Sequence, residues 1–296
     1  MLVSIIIPVH KTIDYFKSCV ESALLQSYSH IEVIIACNGE LEIQTCQDFL
    51  NINDPRLIYL KTKPGRHNAR NEALLVAKGK YIQFLDYDDL LFLEKIETQV
   101  SLLENANSKE AISITKWKKF KNELNESYNF PYNNIFEEEK IDARKLIRKL
   151  SVNGGFIATG SWLIPKVSIG NIKWIDSPND DAVFLSGILK ENPEIIMVSE
   201  TYAGYRIHDE NTSSLFKKSE LDKLLMSWEL IYQNLNALNI FEVNLYLYKA
   251  YLNLIRYSKV VNRYRILFIL YKTTIFGFKS KLGFNLVLDL KRMLLK

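Results

Sequence analysis

Tyr81-Ile82-Gln83-Phe84-Leu85-Asp86-Tyr87-Asp88-Asp89 decides how this chain reads. A short, largely apolar run of the kind that forms a buried strand passes straight into three carboxylates within four positions. Like charges this close repel, so a purely structural role for the acidic stretch is poorly motivated. A hard divalent cation relieves the repulsion. Carboxylate oxygens suit Mg2+ or Mn2+, which commonly keep positions open for a substrate's phosphates. The competing reading is a solvated turn in which Asp89 caps the following helix.

Outward from this stretch, strand and helix signals alternate. Val3–Val9 is a largely β-branched run, interrupted by Ser4 and Pro8, as expected of a buried parallel strand. Asp14 is placed to cap a helix with Phe16, Val20, Ala23 and Leu24 on one face. Ile31–Cys37 reads as a second strand closed by Asn38-Gly39, and Leu57–Leu60 as a third. Gly65 opens a helix through Ala69, Ala73 and Val76 that is expected to end at Gly79, and a further helix spans Leu93–Leu103. This order predicts an α/β fold with a mostly parallel sheet and helices on both faces. Ligands in such sheets lie beyond the carboxyl ends of the strands, where Asn38-Gly39 and Asp86–Asp89 both fall.

The middle is less regular. Ala111–Phe120 reads as a strand, Asn122–Tyr132 as a polar loop and Glu137–Leu150 as a helix with an acidic start. Gly154–Ile164 is strand-like, Asp180–Lys190 helical, and Ile195–Val198 and Thr201–Arg206 carry strand signals. From Ser219 onward the pattern is helical, and a break near Ser213–Lys218 suggests one domain over 1–215 and a helical region over 216–296.

Composition excludes several classes. Of 296 residues, 48% are hydrophobic and 24% charged, which is ordinary for a globular protein and unlike disorder or collagen. Three cysteines form neither a disulfide framework nor a zinc pattern and point to a reducing compartment. No signal peptide is expected at Met1–Pro8, and the apolar run Ile266–Tyr271 is bounded by Arg265 and Lys272, too short to cross a bilayer. The formal charge of +4 hides a division: Lys249–Lys296 holds eleven cations and one acid, Asp289, a net +10, whereas the first 248 residues carry −6.

Three further stretches carry chemistry. Gly65-Arg66-His67-Asn68-Ala69-Arg70-Asn71 places two arginines in the first turns of a helix, either an anion site or a solvated basic face. Neither a Gly-x-Gly-x-x-Gly fingerprint nor a P-loop is present. Of Asp180 and Asp181, which open an apolar helix, one can cap it, leaving the other to act as a general base. Tyr205-Arg206-Ile207-His208 follows a strand, and a lone histidine is more often structural than a ligand.

In order, these pieces resemble the family 2 glycosyltransferases of GT-A fold over about Val3 to Ser213. The resemblance rests on Val3–Val9, Ser22, Gln26-Ser27-Tyr28, Ile31–Ile35, Gly65 with Ala69-Arg70-Asn71, Ala77–Ile82 running into Asp86–Asp89, Asp180-Asp181, and Tyr205–His208. It implies transfer of a sugar from a nucleoside diphosphate sugar to an acceptor hydroxyl, with inversion at the anomeric carbon. It makes Pro8, Val9, His10 and Asn38 contacts to base or ribose, and Arg70, with Arg66 near it, a contact to base or phosphate. Asp86 and Tyr87 fall near the ribose, Asp88 becomes the ligand of Mn2+ or Mg2+, and His208 approaches that metal or the diphosphate. Asp181 becomes the base, while Asp180, Trp162 and Arg206 fall to the acceptor side or its loop. Where the family often has an aspartate, this chain has Asn38, which accepts a uracil N–H without charge. UDP stays the favoured carrier.

The tail lies outside the resemblance. Aromatics interleave with its cations, and Leu286, Leu290, Met293 and Leu294 form an apolar stripe at helical spacing. For Trp228–Leu254, helices packed on the body are expected. For the last forty or so residues, an anionic membrane surface stands beside packing and homodimerisation. The expected partners are a glycan or lipid-linked acceptor and no nucleic acid, and the expected location is the cytoplasm, at the inner face of its membrane.

Overall fold

The computed structural model describes residues 1–121, 129–153, 157–208, 220–255, 263–282, 288–289 and 291. In chain order the elements are β1 (Val3–Val9), α1 (Asp14–Leu24), β2 (Ile31–Asn38), α2 (Ile43–Leu50), β3 (Leu57–Thr62), α3 (Arg66–Val76), β4 (Tyr81–Phe84), β5 (Leu90–Leu91), α4 (Lys95–Glu104) and β6 (Ile112–Phe120). There follow β7 (Lys140–Asp142), α5 (Ala143–Asn153), β8 (Trp162–Pro165), α6 (Lys166–Ile169), α7 (Asp180–Leu189), β9 (Glu194–Arg206), α8 (Leu221–Asn236), α9 (Glu242–Ile255) and α10 (Arg263–Lys279).

The strands form one sheet in the order β3-β2-β1-β4-β8-β6-β9-β5, with β7 paired to β9. The expected α/β architecture with a mostly parallel sheet is present: β1 runs parallel to β2 and β4, β2 to β3, and β6 to β9. Antiparallel pairs join β4 to β8, β6 to β8 and β5 to β9. Every residue of β1 and β2 is buried, which is why both are mostly apolar rather than alternating, with Ser4, Glu32 and Asn38 the polar exceptions.

Two compact units result. The first comprises Met1–Ile141, Ile157–Asp176 and Pro193–Asn211, and holds the sheet with α1 to α4 and α6. The second comprises Asp142–Phe156, Ser177–Asn192 and Thr212–Lys296, and holds α5 and α7 to α10. The expected boundary at 215/216 and the break at Ser213–Lys218 lie outside the described residues.

Several local expectations are corrected. Asp14 is the first residue of α1, after Ile13 at the cap, so it acts on the helix dipole instead of capping. The stretch Glu137–Leu150 is not one helix. Residues 140–142 pair with β9, and α5 begins at Ala143, where Asp142 accepts the Lys145 backbone N–H at 2.8 Å as an N-cap does. The two strand signals after Asn192 are one strand, β9, whose register shifts opposite Thr115 to Trp117. Helix α2, strand β5 and the short helix α6 carried no clear sequence signal. Most of the loop expected at Asn122–Tyr132, and Gly154-Gly155, lie outside the described residues.

Helix α3 ends at Val76, and Gly79 serves a different purpose. Its N–H donates to Ser4 Oγ at 2.8 Å, Ser4 Oγ donates to Glu32 at 2.5 Å, and the Lys78 N–H donates to the same Glu32 oxygen at 2.6 Å. This buried chain of bonds ties β1, β2 and the approach to β4. A second buried set lies beside it. Lys95, fully buried, donates to Gln83 and to the Trp162 carbonyl (2.8 Å), and burial pushes its amine well below the usual lysine range.

A methyl group on Gly79 would lie 2.5 Å from the Ser4 nitrogen and 2.6 Å from Ser4 Oγ, closer than packed atoms approach. Gly79→Ala is therefore expected to destabilise the protein by about 2 kcal/mol, read as a lowered urea midpoint. An unchanged midpoint would show that the chain at Ser4 yields freely.

Candidate functional site

Strand β1 leads to β2 and β3 on one side, while its other neighbour, β4, is reached only later. The carboxyl ends of β1 and β4 therefore flank the switch point at which a doubly wound sheet opens a crevice. Pro8 and Val9 are buried there and His10 is exposed, its ring meeting Tyr87 edge-on at 5.2 Å. Asn38 closes β2 and is 5% exposed. Its Nδ2 donates to the Val9 carbonyl at 2.9 Å and its Oδ1 accepts the Gly65 N–H at 3.3 Å. One side chain thus holds together β1, β2 and the start of α3. The amide oxygen keeps a second lone pair. Gly65 sits at φ 103°, a backbone position that favours glycine.

The acidic turn follows β4. The Asp89 N–H donates to the Asp86 carbonyl at 3.0 Å, and Cys19 Sγ reaches the same oxygen at 3.3 Å. Asp89 does not cap α4, whose cap position is Glu94. Its carboxylate is buried and accepts the Arg206 N–H at 2.8 Å. Burial, then the charges of Asp88 and Asp86, push its carboxyl well up, with Arg206 acting the other way. The Arg206 guanidinium donates to the Asp88 carbonyl (2.9 Å) and the Lys121 carbonyl (3.1 Å). It lies between the rings of Tyr15 and Phe120, 4.3 and 4.4 Å from their centroids. Arg206, which sequence put on the acceptor side, is thus a buried brace for the turn.

Asp88 is the carboxylate met by His208: Nε2 lies 2.7 Å from Asp88 Oδ2, and the imidazole packs against Tyr15 at 5.5 Å. Burial and the neighbouring Asp86 raise the Asp88 carboxyl, and His208 pulls it back. Asp86 is paired with Arg70, which is itself 2% exposed. The Arg70 guanidinium lies 4.1 Å over Trp174. Trp174 is fixed in turn by Asn71, whose Oδ1 accepts its N–H and whose Nδ2 donates to its carbonyl, both at 2.9 Å. Arg70 is therefore placed to set Asp86, while Arg66, in the first turn of α3, is half-buried. Trp162 is 2% exposed and stacks on Trp174 at 6.3 Å, so it presents no open face to an acceptor.

Within the second unit, Asn179 stands at the cap position of α7, and Asp180 and Asp181 fill its first turn. Asp180 is buried and accepts the Asp181 N–H at 3.0 Å, whereas Asp181 is half-buried. Asn179 Oδ1 accepts from Ser177 (2.8 Å) and Ser227 (2.5 Å), tying α7 to α8.

The donor set at Asp88 fits a hard divalent cation. A carboxylate and an imidazole meet where three acids crowd, and Mn2+ or Mg2+ takes such ligands. Among the described residues no group of three or more His, Cys, Asp or Glu is gathered closely enough to hold a metal ion by itself. Tyr15, Phe120, Cys19 and Trp174 escaped the sequence reading. Each acts through contacts with residues distant in sequence and has no motif of its own.

Comparison with known proteins adds to this geometry. The family model described as Glycosyl transferase family 2 matches residues 4–172. An uncharacterized glycosyltransferase of Rickettsia typhi is 30% identical over 141 residues, 48% of this chain and 44% of that protein. WfaP of Escherichia coli, a UDP-Glc:alpha-D-GlcNAc-diphosphoundecaprenol beta-1,3-glucosyltransferase, is 43% identical over 105 residues, 35% of this chain and 41% of its own length. The match thus spans less than half the length of these relatives. The crystal structure of S. aureus TarS 1-349 in complex with UDP-GlcNAc superposes with a TM-score of 0.67 over 85% of this chain and 73% of that one, at 16% identity. The shared fold is the GT-A fold expected from sequence.

A lysine at position 70 could not pair with Asp86 and also lie flat on Trp174. With Asp86 partly solvated, Arg70→Lys is expected to cost about 2 kcal/mol in urea unfolding. An unchanged midpoint would mean that the pair does not hold the turn.

Proposed function

The chain belongs to glycosyl transferase family 2, and from that premise we propose that it transfers a sugar from a UDP-sugar to an acceptor hydroxyl of a growing bacterial glycan, inverting the anomeric carbon. The observation that carries the reading is the Asp86–Asp89 turn at the sheet's switch point, with His208 on Asp88 and Arg70 on Asp86. The UDP and sugar-nucleotide ligands named for TarS and WfaP support the choice of carrier.

In this reading Asn38 and the Pro8-Val9-His10 segment take the base and ribose, with Tyr87 beside them. Asp88 and His208 would hold Mn2+ or Mg2+, which when bound supplies positive charge for the diphosphate leaving group. Arg70 holds Asp86 in place near the ribose. Asp181 keeps the role that the resemblance implies, accepting the proton of the acceptor hydroxyl as that oxygen attacks the face opposite the leaving diphosphate. Asp180, buried at the same helix start, accepts the Asp181 backbone N–H, and the Asp181 carboxylate accepts that of Ala182. Fixing both substrates in line removes much of the entropic barrier.

Two measurements test this. A nucleotide held at a hundredfold excess over its Kd stabilises the folded state by about 2.7 kcal/mol, so UDP should raise the melting temperature, and more so with Mn2+. Asp88→Asn preserves shape but removes charge, and it should abolish the Mn2+-dependent part. A metal-dependent shift retained in that variant would sink the assignment. Asp181→Asn should lower turnover about 10²- to 10⁴-fold while leaving donor affinity within about twofold. Donor affinity that falls as steeply as turnover would remove Asp181 from the role of base.

A further inference from the structure

The formal charge divides between the two units. The first carries 19 basic and 25 acidic residues, a net −6, and the second 19 and nine, a net +10. Within the second unit, α10 has four cations and no acid in its 17 residues. One side of it is core: Ile269, Thr273, Phe276 and Ser280 are at most 5% exposed, and Phe276 stacks on Tyr251 at 5.6 Å. Links to α8 fix its rotation. Arg265 pairs with Asp222, Lys272 Nζ lies 2.7 Å from Glu229, and Lys279 Nζ lies 3.3 Å from the Tyr232 hydroxyl.

The other side should be polar on a helix that serves only this core. It is not. Tyr264, Leu267, Tyr271 and Phe278 are 82%, 58%, 60% and 69% exposed, and Phe268 is 38% exposed. At 100° per residue these five fall within an arc of about 100°, opposite the buried stripe. Lys279, the last residue of the helix, and Lys281, just beyond its end, are exposed. Among the described residues no helix is long and apolar enough to cross a membrane.

We propose that this face of α10 is the surface by which the protein lies on an anionic lipid bilayer, its rings in the headgroup boundary and Lys279 and Lys281 at the lipid phosphates. Aromatic residues favour that boundary, and a basic unit is complementary to it. A second copy of the chain is the poorer occupant, because a symmetric contact through this face would set one +10 unit against another. The leucine-rich stripe expected at Leu286–Leu294 falls mostly on residues outside those described, so the surface assigned here is a different one. The proposal is independent of the donor site, and its failure leaves the transferase reading untouched.

The test is flotation of the full chain with vesicles of phosphatidylcholine alone or mixed with phosphatidylglycerol. Binding is expected only to the mixed vesicles and should weaken as salt is raised. The quadruple variant Tyr264→Gln, Leu267→Gln, Tyr271→Gln, Phe278→Gln should bind at least about tenfold more weakly with an unchanged melting temperature. The proposal is overturned if the wild type stays off anionic vesicles, if the variant binds as well, or if the face proves to join two copies in solution. As a check that does not depend on the quadruple variant folding, Tyr271→Cys can carry an environment-sensitive dye, since the three native cysteines are buried. Its emission should rise on anionic vesicles, and a flat signal overturns the proposal.

Discussion

The structure of the first unit depends on how three carboxylates, Asp86, Asp88 and Asp89, are kept within one turn. Two unit charges 4 Å apart repel by about 4 kcal/mol at the effective dielectric of a protein surface, so an uncompensated trio would cost most of a domain's stability. Each acid instead has its own partner. Asp86 has Arg70, Asp88 has His208, and Asp89 has the Arg206 backbone N–H with the guanidinium close by. The partners come from α3, the end of β9 and the residues just beyond it, so the turn exists only when those elements are assembled. The compensation is incomplete at Asp88 and Asp89, where burial and mutual repulsion still raise both carboxyls. A site that holds residual negative charge in a crevice is one in which a divalent cation gains most.

The partners are themselves held by aromatic rings, which confine a guanidinium or an imidazole without neutralising it. Arg206 sits between Tyr15 and Phe120, Arg70 lies on Trp174, and His208 packs against Tyr15. Tyr15 therefore serves two of the three acids at once. Beneath this layer the sheet is fastened by polar bonds where apolar contact alone would allow slippage. Ser4, Glu32 and Gly79 fix β1, β2 and β4 against one another, and Lys95 with Gln83 fixes β4 to β8. An error of register at β4 would carry the acidic turn with it.

What sequence disclosed and what it hid follow from the range of the interactions. Val3–Val9, Ile31–Cys37 and Asp86–Asp89 were readable because a fully buried strand and a charge cluster both declare themselves within a few residues. The fold class followed from their order. Trp174 was not readable, because Asn71, 103 residues away, defines its place. The acidic residues Glu137–Glu139 looked like a helix start, yet the chain makes the short strand β7 after them and Asp142 does the capping. Arg70 and Arg206 were recognised as functional, but spacing could not show that both are buried braces. Asn38 was read through its capacity to accept one hydrogen bond, and the structure engages both ends of its amide.

The division of charge gains meaning from the same comparison. Read linearly, the chain is an acidic body with a basic tail. Read through its compact units, the basic part also includes α5, whose Arg144, Lys145, Arg148 and Lys149 come long before the tail, and it includes the α7 acids as well. The net values stay at −6 and +10 although the residues contributing to them change. In the first unit, three acids, Asp86, Asp88 and Asp89, crowd into one turn after β4. Arg265 and Lys272 of α10 meet acids on α8, and Lys279 reaches the Tyr232 hydroxyl there, while Lys279 and Lys281, just past the helix end, stay exposed. Pairing inward and exposure outward on one helix is the arrangement expected if its outer face meets a negative surface, because internal ion pairs then orient the helix without consuming the charge that faces out.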